Sequence, residues 1–268
     1  MQPFAYARPA SIAEAVALLS EDAEARLLAG GMSLLPMIKQ QLARPTLLVD
    51  LGAIADLKQI SRSQDGLVIG ALARHYDVAA SETVAATIPA LASLAAGIGD
   101  VQVRHRGTIG GSVSNNDPAA DYPAACVALG ATIVTDRRRI EAGDFFVDMF
   151  ETALEPTEIV TAVEFPVPQM AVYRKFRHPI SRYALVGVFI ARLSDGTVRV
   201  AVTGAASSVF RVTAFETALS RDWSPEAIAD VAVDEDDLSG DIHASAAYRA
   251  HMIRHLALDI VRSTTTND

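Results

Sequence analysis

The spacing of hydrophobic positions changes along the chain and predicts helices and strands in turn. Ser11 and Glu14 form a capping box, and apolar positions at helical spacing follow as far as Leu19. Short apolar runs next to glycine or proline predict strands. After this helix, the first 55 residues are expected to form a strand over 26–29, a helix over 33–42 and a strand over 46–51. This order predicts a small α/β unit.

A second series of predicted strands and helices begins at about residue 56 and ends at Pro166-Val167-Pro168. Proline removes backbone donors and stiffens the chain, so this segment is interpreted as a linker between domains. The predicted domains are 1–168, with subdomains of about 1–55 and 56–168, and 169–268. Between residues 56 and 168 the predicted elements are strands over 67–71, 131–134 and 158–165 and helices over 88–98 and 121–129.

The segment after the linker begins with strands and ends with helices. Ser194-Asp195-Gly196 lies between two apolar runs, and an Asp-Gly turn in that position is typical of a β-hairpin. The fold class is therefore predicted to be α+β, with a three-stranded antiparallel sheet in the C-terminal domain. Its predicted elements are strands over 171–176, 184–193 and 198–204 and helices over 208–219 and 246–262.

Charge narrows the range of partners. The net charge is −9 and the pI is about 5.1, so the surface repels nucleic acids and anionic membranes. The longest apolar stretch, 183–191, is too short to span a bilayer, and the N-terminus lacks the profile of a signal peptide. We expect a cytoplasmic protein with no nucleic-acid partner and no membrane span. The acidic run over 222–248 is either a solvated surface or a binding segment.

Cysteine and histidine usage limits the redox and metal chemistry of the chain. Cys126 is the only cysteine, which excludes an internal disulfide and a cysteine-ligated iron–sulfur cluster held by this chain alone. His251 and His255 lie four residues apart with no acid between them, so they are interpreted as a helix face. No metal site and no catalytic acid–base set is predicted.

Two glycine segments carry the candidate chemistry. In the first, an apolar strand leads through Ala29-Gly30-Gly31-Met32-Ser33 into a helix, where outward amides favour a phosphate. The pattern is neither the Rossmann nor the Walker motif, and a structural corner without a ligand is the alternative. The second, Thr108-Ile109-Gly110-Gly111-Ser112, is expected to form a nest of amides and hydroxyls. Together they predict one long, phosphate-bearing cofactor held from two sides.

Two acids follow the second glycine segment. Asp117 precedes Pro118 and either caps the next helix or binds a ligand. Asp121 is interpreted as a ligand-binding residue. Since a carboxylate repels a diphosphate, these acids are expected to accept hydrogen bonds from the hydroxyl groups of a ribose or ribityl chain.

Both segments resemble the FAD motifs of a known family, the FAD-binding (medium) subunit of molybdenum hydroxylases of the carbon monoxide dehydrogenase and xanthine dehydrogenase type. The resemblance covers essentially the whole chain. It implies a two-lobed FAD-binding domain of the vanillyl-alcohol-oxidase (PCMH) type, followed by a small α+β domain. The matching residues beyond the glycines are Pro36, Lys39, Leu42, Pro45, Val49-Asp50-Leu51, Asp117-Pro118, Asp121, 173–176, 181–184, 237–240 and 248–249.

The resemblance also implies which residues contact FAD. The glycine segments would bracket the pyrophosphate, and Tyr183 would cover a flavin face. Lys175 would approach the polar edge of the flavin. Beyond the resemblance, the basic string stands out in an acidic protein, and we expect some of it to stabilise reduced, anionic flavin; its members are Arg174, Lys175, Arg177, His178 and Arg182. A core tyrosine and a solvated lysine are the alternatives. The expected FAD-binding residues are Leu28, Ala29, Gly30, Gly31, Met32, Ser33, Leu34, Ile98, Thr108, Ile109, Gly110, Gly111, Ser112, Asp117, Asp121, Ile159, Lys175 and Tyr183.

The implied function is electron transfer within a larger enzyme. A molybdopterin-containing large subunit would oxidise the substrate, and a 2Fe-2S small subunit would relay electrons to FAD on this chain, which would pass them to NAD, a quinone or oxygen. The partners imply a heterotrimer that dimerises. The single cysteine agrees with this division, because the clusters must then lie on a partner. A stand-alone FAD-dependent oxidoreductase and a scaffold without cofactor are the alternatives.

Overall fold

The computed structural model describes residues 3–64 and 66–265, and its first part is a three-stranded parallel sheet in the order β1-β3-β2. The predicted capping box is present, since Ser11 accepts from the amide of Glu14 and Glu14 accepts from the amide of Ala10. The elements are β1 (Ala5–Ala7), α1 (Ile12–Glu21), β2 (Arg26–Leu28), α2 (Leu34–Lys39) and β3 (Leu47–Asp50).

The next part contains a five-stranded antiparallel sheet in the order β4-β5-β10-β6-β7. The central strand β10 pairs with β5 and β6, so the end of this part of the chain lies in the middle of the sheet. A separate two-stranded hairpin is formed by β8 and β9. The strands are β4 (Ile60–Arg62), β5 (Gly66–Gly70), β6 (Thr132–Thr135), β7 (Arg139–Glu141), β8 (Phe146–Asp148), β9 (Glu151–Thr152) and β10 (Val160–Pro166).

Seven helices pack around this sheet within the described residues. Every residue of α8 is buried, which explains its lack of polar positions and its place in the centre of the core. The second glycine segment, for which no helix was predicted, is the start of α7. The helices are α3 (His75–Ala80), α4 (Glu82–Thr87), α5 (Pro89–Ala96), α6 (Val101–Arg106), α7 (Ile109–Asn115), α8 (Tyr122–Leu129) and α9 (Ala142–Phe145).

The C-terminal part is an antiparallel sheet in the order β11-β12-β13-β14 with helices on one face. The three expected strands are present, and a fourth, two-residue strand joins them. The helix expected from residue 208 begins at Thr213, because residues 210 and 211 pair with β13 instead. The elements are β11 (Met170–Arg177), β12 (Ala184–Arg192), β13 (Val198–Thr203), β14 (Phe210–Arg211), α10 (Thr213–Arg221), α11 (Glu226–Ala229) and α12 (Ala246–Thr265).

Both faces of the C-terminal sheet are covered. Val188 and Ile190 pack with α10 and α12, whereas Phe189 and Ala191 belong to the core that contains α5 and α8. Since side chains alternate along a strand, Tyr173 and Lys175 of β11 lie on the same face as Phe189, toward α8. This packing positions the C-terminal strands against α8 and α5.

The acidic run has a structural role at Asp241. The guanidinium group of Arg249, which is 3% exposed, donates to Asp241 and to the carbonyl oxygens of Leu185 and Gly204. The loop before α12 is thereby tied to the sheet. None of the helices formed by residues 3–64 and 66–265 combines the length and the apolar character that crossing a membrane requires.

Candidate cofactor site

Gly30 lies where the two glycine segments meet. A Cβ atom on Gly30 would lie 2.1 Å from the carbonyl oxygen of Arg106 and 2.8 Å from Cα of Gly107. These are backbone atoms immediately before the second segment, so only glycine lets the two segments approach this closely. Gly31, with φ of 74°, then turns the chain from β2 into α2.

The first glycine segment presents free donors. Leu35 donates to the carbonyl oxygen of Gly31 at 3.1 Å, but among the described residues no protein acceptor is bound by the amides of residues 31–34. The hydroxyl group of Ser33 does not cap α2. A run of free amides with a hydroxyl beside it suits the oxygens of a phosphate.

The second glycine segment is built differently from the expected nest of amides. Thr108 caps α7 by accepting from the amide of Gly111 at 3.2 Å. The amides of Ile109 and Gly110 donate to the carbonyl oxygens of Ala73 and Ala71, so they are bound within the protein. The expectation of a full nest is therefore wrong. The segment offers hydroxyl groups and a glycine surface, and the first segment offers the free amides.

A cavity of about 420 Å³ lies between the two segments and extends to Tyr183 of the C-terminal part. This volume lies within the range of roughly 300–1,000 Å³ that is typical of small-molecule sites. It is lined by fifteen of the predicted residues, namely Ala29, Gly30, Gly31, Met32, Ser33, Leu34, Ile98, Thr108, Gly110, Gly111, Ser112, Asp117, Asp121, Ile159 and Tyr183.

Three predicted residues lie behind this lining. Leu28 is half-buried at the end of β2, and Ile109 is fully buried against the core. The side chain of Lys175 is 4% exposed, and its ammonium group contacts Asp121 rather than the cavity.

Asp121 belongs to a buried cluster that joins the two parts of the chain. Its Oδ1 accepts from the hydroxyl group of Tyr173 at 2.5 Å, and Nζ of Lys175 lies 2.8 Å from Oδ1 and 3.0 Å from Oδ2. Lys175 also donates to the carbonyl oxygen of Gly97 at 3.0 Å. Burial raises the pKa of Asp121, and the ammonium group of Lys175 opposes that rise. The cluster fixes the start of α8 against β11.

Two of the basic residues near Lys175 contact side chains other than Asp121. Arg174 donates to Asp259 at 2.9 Å on the surface, on the opposite face of β11 from Lys175. His178 lies 3.3 Å from His243, Nε2 to Nδ1. The charge of Arg174 is thus bound to an acid of α12, and the stabilisation of reduced flavin by some of this basic run stays a prediction.

Asp117 does not cap a helix. Its Oδ1 accepts from the amide of Ala119 at 2.9 Å, which closes a turn, while the next helix begins after Asp121. The side chain lines the cavity. The capping alternative is thus wrong, and binding of a ligand remains the prediction for Asp117.

Tyr183 and two isoleucines supply the apolar surface of the cavity. Tyr183 is 48% exposed at the cavity mouth, and burial, followed by Asp117 and Asp121, raises the pKa of its hydroxyl group. Ile98 and Ile159 line the cavity as predicted. The amide of Ile159 donates to Asp136 at 2.7 Å, which holds this part of the wall in place.

Among the lining residues that sequence reasoning missed, His75 is the buried one with a titratable side chain. It is the first residue of α3, it is 5% exposed, and its Nδ1 has no hydrogen-bond partner within residues 3–64 and 66–265. A single histidine at a helix start carries no sequence signal for binding. The other unpredicted lining residues are Arg26, Leu27, Leu51, Ala71, Leu72, Val103, Gly107, Ser114, Asn115, Ala119, Ala120 and Val160.

Two facing glycine segments, free amides and a cleft reaching a surface tyrosine are features that suit a long phosphate-bearing cofactor. The chain resembles known proteins over nearly its full length. It is 35% identical over 266 residues to the nicotine 6-hydroxylase medium subunit of Paenarthrobacter nicotinovorans, covering 94% of this chain and 93% of that protein. It is 35% identical over 273 residues to the carbon monoxide dehydrogenase medium chain of Hydrogenophaga pseudoflava, covering 94% of each. The structure of quinoline 2-oxidoreductase from Pseudomonas putida 86 matches with a TM-score of 0.90 at 28% identity, covering 99% of this chain and 98% of that chain.

The family described as the FAD binding domain in molybdopterin dehydrogenase matches residues 2–168, and the chain belongs to it. Its cofactor is FAD, and it is a medium, FAD-carrying subunit of the molybdenum hydroxylase type and hence part of an oxidoreductase. The recognition of the family, the predicted fold class and the prediction of FAD are confirmed.

Proposed function

We propose that FAD lies in this cavity with its diphosphate against residues 31–34 and the hydroxyl groups of Thr108 and Ser112, and with its flavin toward Tyr183. The single cavity that reaches from both glycine segments to Tyr183 carries this proposal. Thr108 accepts from Gly111, and its own hydroxyl hydrogen stays available to a phosphate oxygen. The aromatic ring of Tyr183 suits stacking on a flavin face.

The remaining predicted residues have supporting roles in this proposal. Asp117 and Asp121 accept from ribityl or ribose hydroxyl groups, since an ionised carboxylate has about four acceptor sites and the protein uses only some of those on Asp121. Ile98 and Ile159 form the apolar walls. Leu28 and Ile109 support the two glycine segments from behind, and Lys175 acts through Asp121.

The chain cannot supply electrons to the flavin from clusters of its own. Cys126 is its only cysteine and is fully buried, and iron–sulfur clusters are held by several thiolates. We therefore infer that electrons come from a 2Fe-2S small subunit and originate at a molybdopterin-containing large subunit, in a heterotrimer that dimerises. Bound FAD supplies the conversion of one-electron steps into a two-electron transfer to NAD, a quinone or oxygen.

Mixing the chain with a reduced small subunit tests this electron route. The FAD-loaded chain, kept without oxygen, is mixed with small subunit that has been reduced with dithionite and desalted. We expect the flavin absorbance near 450 nm to bleach, because clusters and flavin come within electron-transfer range only when the two chains assemble. Small subunit without its clusters serves as the control and is expected to leave the flavin oxidised.

The same experiment separates the proposal from the stand-alone alternative. Substrates of related hydroxylases added to the FAD-loaded chain alone are expected to leave the absorbance unchanged. Bleaching by such a substrate without any partner would favour a self-contained oxidoreductase. Re-oxidation of the bleached sample by NAD, a quinone or oxygen then identifies the acceptor.

We also propose a domain boundary at Pro166-Val167-Pro168 and a cytoplasmic location. The family match ends at residue 168, and the parallel and five-stranded sheets precede this point while the C-terminal sheet follows it. A lone buried cysteine fits a reducing compartment.

A further inference from the structure

His75 is a buried polar side chain that the protein leaves unsatisfied. The residue is 5% exposed, its Nδ1 is buried without a partner, and its ring lines the cavity. Buried polar groups in proteins nearly always have a hydrogen-bond partner. Nδ1 is enclosed by the protein and does not reach the cavity, and the hydroxyl group of Tyr122, whose ring packs beside His75, also lacks a partner among the described residues. Nε2 is the ring nitrogen that is not fully enclosed, and no hydrogen bond joins it to the described residues, so it is the nitrogen left for a ligand in the cavity that His75 lines.

The position of His75 identifies which part of FAD it meets. Nε2 lies 2.5 Å from the place that a Cβ atom on Gly107 would occupy, so the ring lies directly against the backbone of Gly107. Gly107 is the residue whose Cα also packs against Gly30, and Thr108 follows it. His75 is thus at the junction of the two glycine segments, where the diphosphate is placed, and not at the flavin end marked by Tyr183.

The charges around His75 keep its ring neutral before FAD binds. Burial, followed by the cation of Arg104 on α6, lowers the pKa of His75 to about 4. On its own helix, Arg74 is paired with Asp77 at 2.7 Å. The ring of Tyr122 on α8 packs at 5.4 Å between centroids, and its hydroxyl group also lacks a partner. A neutral imidazole has one N–H to donate, and phosphate oxygens are acceptors.

We propose that His75 is a diphosphate-binding residue that donates a hydrogen bond from Nε2 of its imidazole ring to a phosphate oxygen of FAD. The inference rests on the proposed placement of FAD in this cavity. It assigns to α3 a direct contact with the cofactor, in addition to the contacts of the two glycine segments. Since the acceptor is negatively charged, this hydrogen bond belongs to the stronger class.

Replacing His75 with leucine tests the contact by comparing three ligands. The full chain is titrated with FAD and riboflavin by flavin fluorescence, and with ADP as a competitor of FAD. We expect His75→Leu to bind FAD and ADP at least about tenfold more weakly, and riboflavin within about twofold of the parent, because riboflavin lacks both phosphates. His75→Gln, which restores an N–H donor, is expected to recover part of the loss. His105→Leu, an exposed histidine stacked on Tyr76, is the control and is expected to change nothing.

The possible outcomes separate this inference from the proposed function. A parent chain that fails to bind FAD would overturn the proposed function itself. FAD binding by His75→Leu at the parent's affinity, or an equal loss for riboflavin, would overturn only the role of His75. If the variants do not fold, nitrogen NMR of the histidine rings in the parent chain tests whether His75 contacts the diphosphate. The His75 signals, assigned through the contact of its ring with Tyr122, are expected to shift with ADP and not with riboflavin, and signals unmoved by ADP would contradict the proposal.

Discussion

Replacing Gly111 with valine is expected to abolish tight FAD binding while the chain stays folded. A Cβ atom at this position meets only the hydroxyl oxygen of Thr108, at 2.9 Å, and Cβ of Ala29, at 3.8 Å. The two further methyl groups of valine would extend into the space between the two glycine segments. The affinity for FAD should fall at least about a hundredfold, which corresponds to about 3 kcal/mol. Fluorescence titration gives the affinity, and urea unfolding gives the stability.

Two other glycines provide matched comparisons for Gly111→Val. Gly143 is exposed on α9 with nothing within 4 Å of an added Cβ, so Gly143→Val should keep both FAD binding and fold. Gly30→Ala should lose both, because its Cβ would collide with backbone atoms of Arg106 and Gly107. Gly111→Val protein that binds FAD as tightly as the parent would show that the diphosphate does not lie between the segments.

Replacing Lys175 with methionine is expected to destabilise the fold strongly. Lys175 and Asp121 are each 4% exposed and lie 2.8 Å apart, so the variant leaves a carboxylate buried without its cation. Breaking a buried ion pair by removing one partner typically costs about 3–5 kcal/mol. Urea unfolding at pH 7 measures the change. Sequence reasoning placed this lysine at the flavin edge, whereas the structure shows it joining β11 to the start of α8.

Arg174→Met is the control for Lys175→Met, since it removes a neighbouring cation on the same strand. Arg174 pairs with Asp259 at the surface, where both side chains are about half exposed, and such pairs contribute at most about 1 kcal/mol. The double variant Lys175→Met with Asp121→Asn should recover part of the lost stability, because the buried charge is gone. Unchanged stability of Lys175→Met with a lower flavin reduction potential would instead support the direct role at the flavin.

The pH dependence of Lys175→Met follows from the remaining acid. Without the ammonium group, burial holds the pKa of Asp121 above its unfolded value, as desolvation does already in the parent. A group whose pKa is raised on folding stabilises the fold at low pH, and that contribution is lost as the pH rises through the folded pKa. The deficit of the variant relative to the parent should therefore shrink as the pH falls from 7 toward 5.

Local signals in the sequence predicted about half of the helices and strands that the structure describes. The capping box at Ser11 and the Asp195-Gly196 turn each rest on neighbouring residues, and both are present in the structure. The pairing of β1 with β3 joins residues 5–7 to residues 47–49. Because these residues are about forty positions apart, no local sequence pattern predicts their contact. The strand at residues 210 and 211 was missed because two residues are too few to show a period.

In the candidate site, too, the features set by neighbouring residues were predicted, and the contacts between residues far apart in the sequence were not. The glycine segments were recognised because strain and close approach select glycine at single positions, as at Gly30 and Gly31. The start of α7 was missed because two glycines in a row disfavour a helix, and here the cap by Thr108 and the packing of Gly110 on Ala71 outweigh that preference. The ion pair of Asp121 with Lys175 and the burial of His75 with an unpaired Nδ1 arise only when strands and helices that are distant in the sequence pack together. The sequence alone therefore did not predict them.

The most direct measurement of the central claim is the cofactor and metal content of the native complex that carries this chain. A tagged chain is purified from its source under conditions that preserve partners, and FAD, molybdenum, iron and the bound polypeptides are quantified. We predict FAD and molybdenum in amounts equal to this chain, iron in excess of both, and one larger and one smaller partner. Dissociation with mild denaturant should leave FAD with this chain, and iron with the smaller partner. A chain that carries FAD but purifies alone, without molybdenum or iron, would contradict the account.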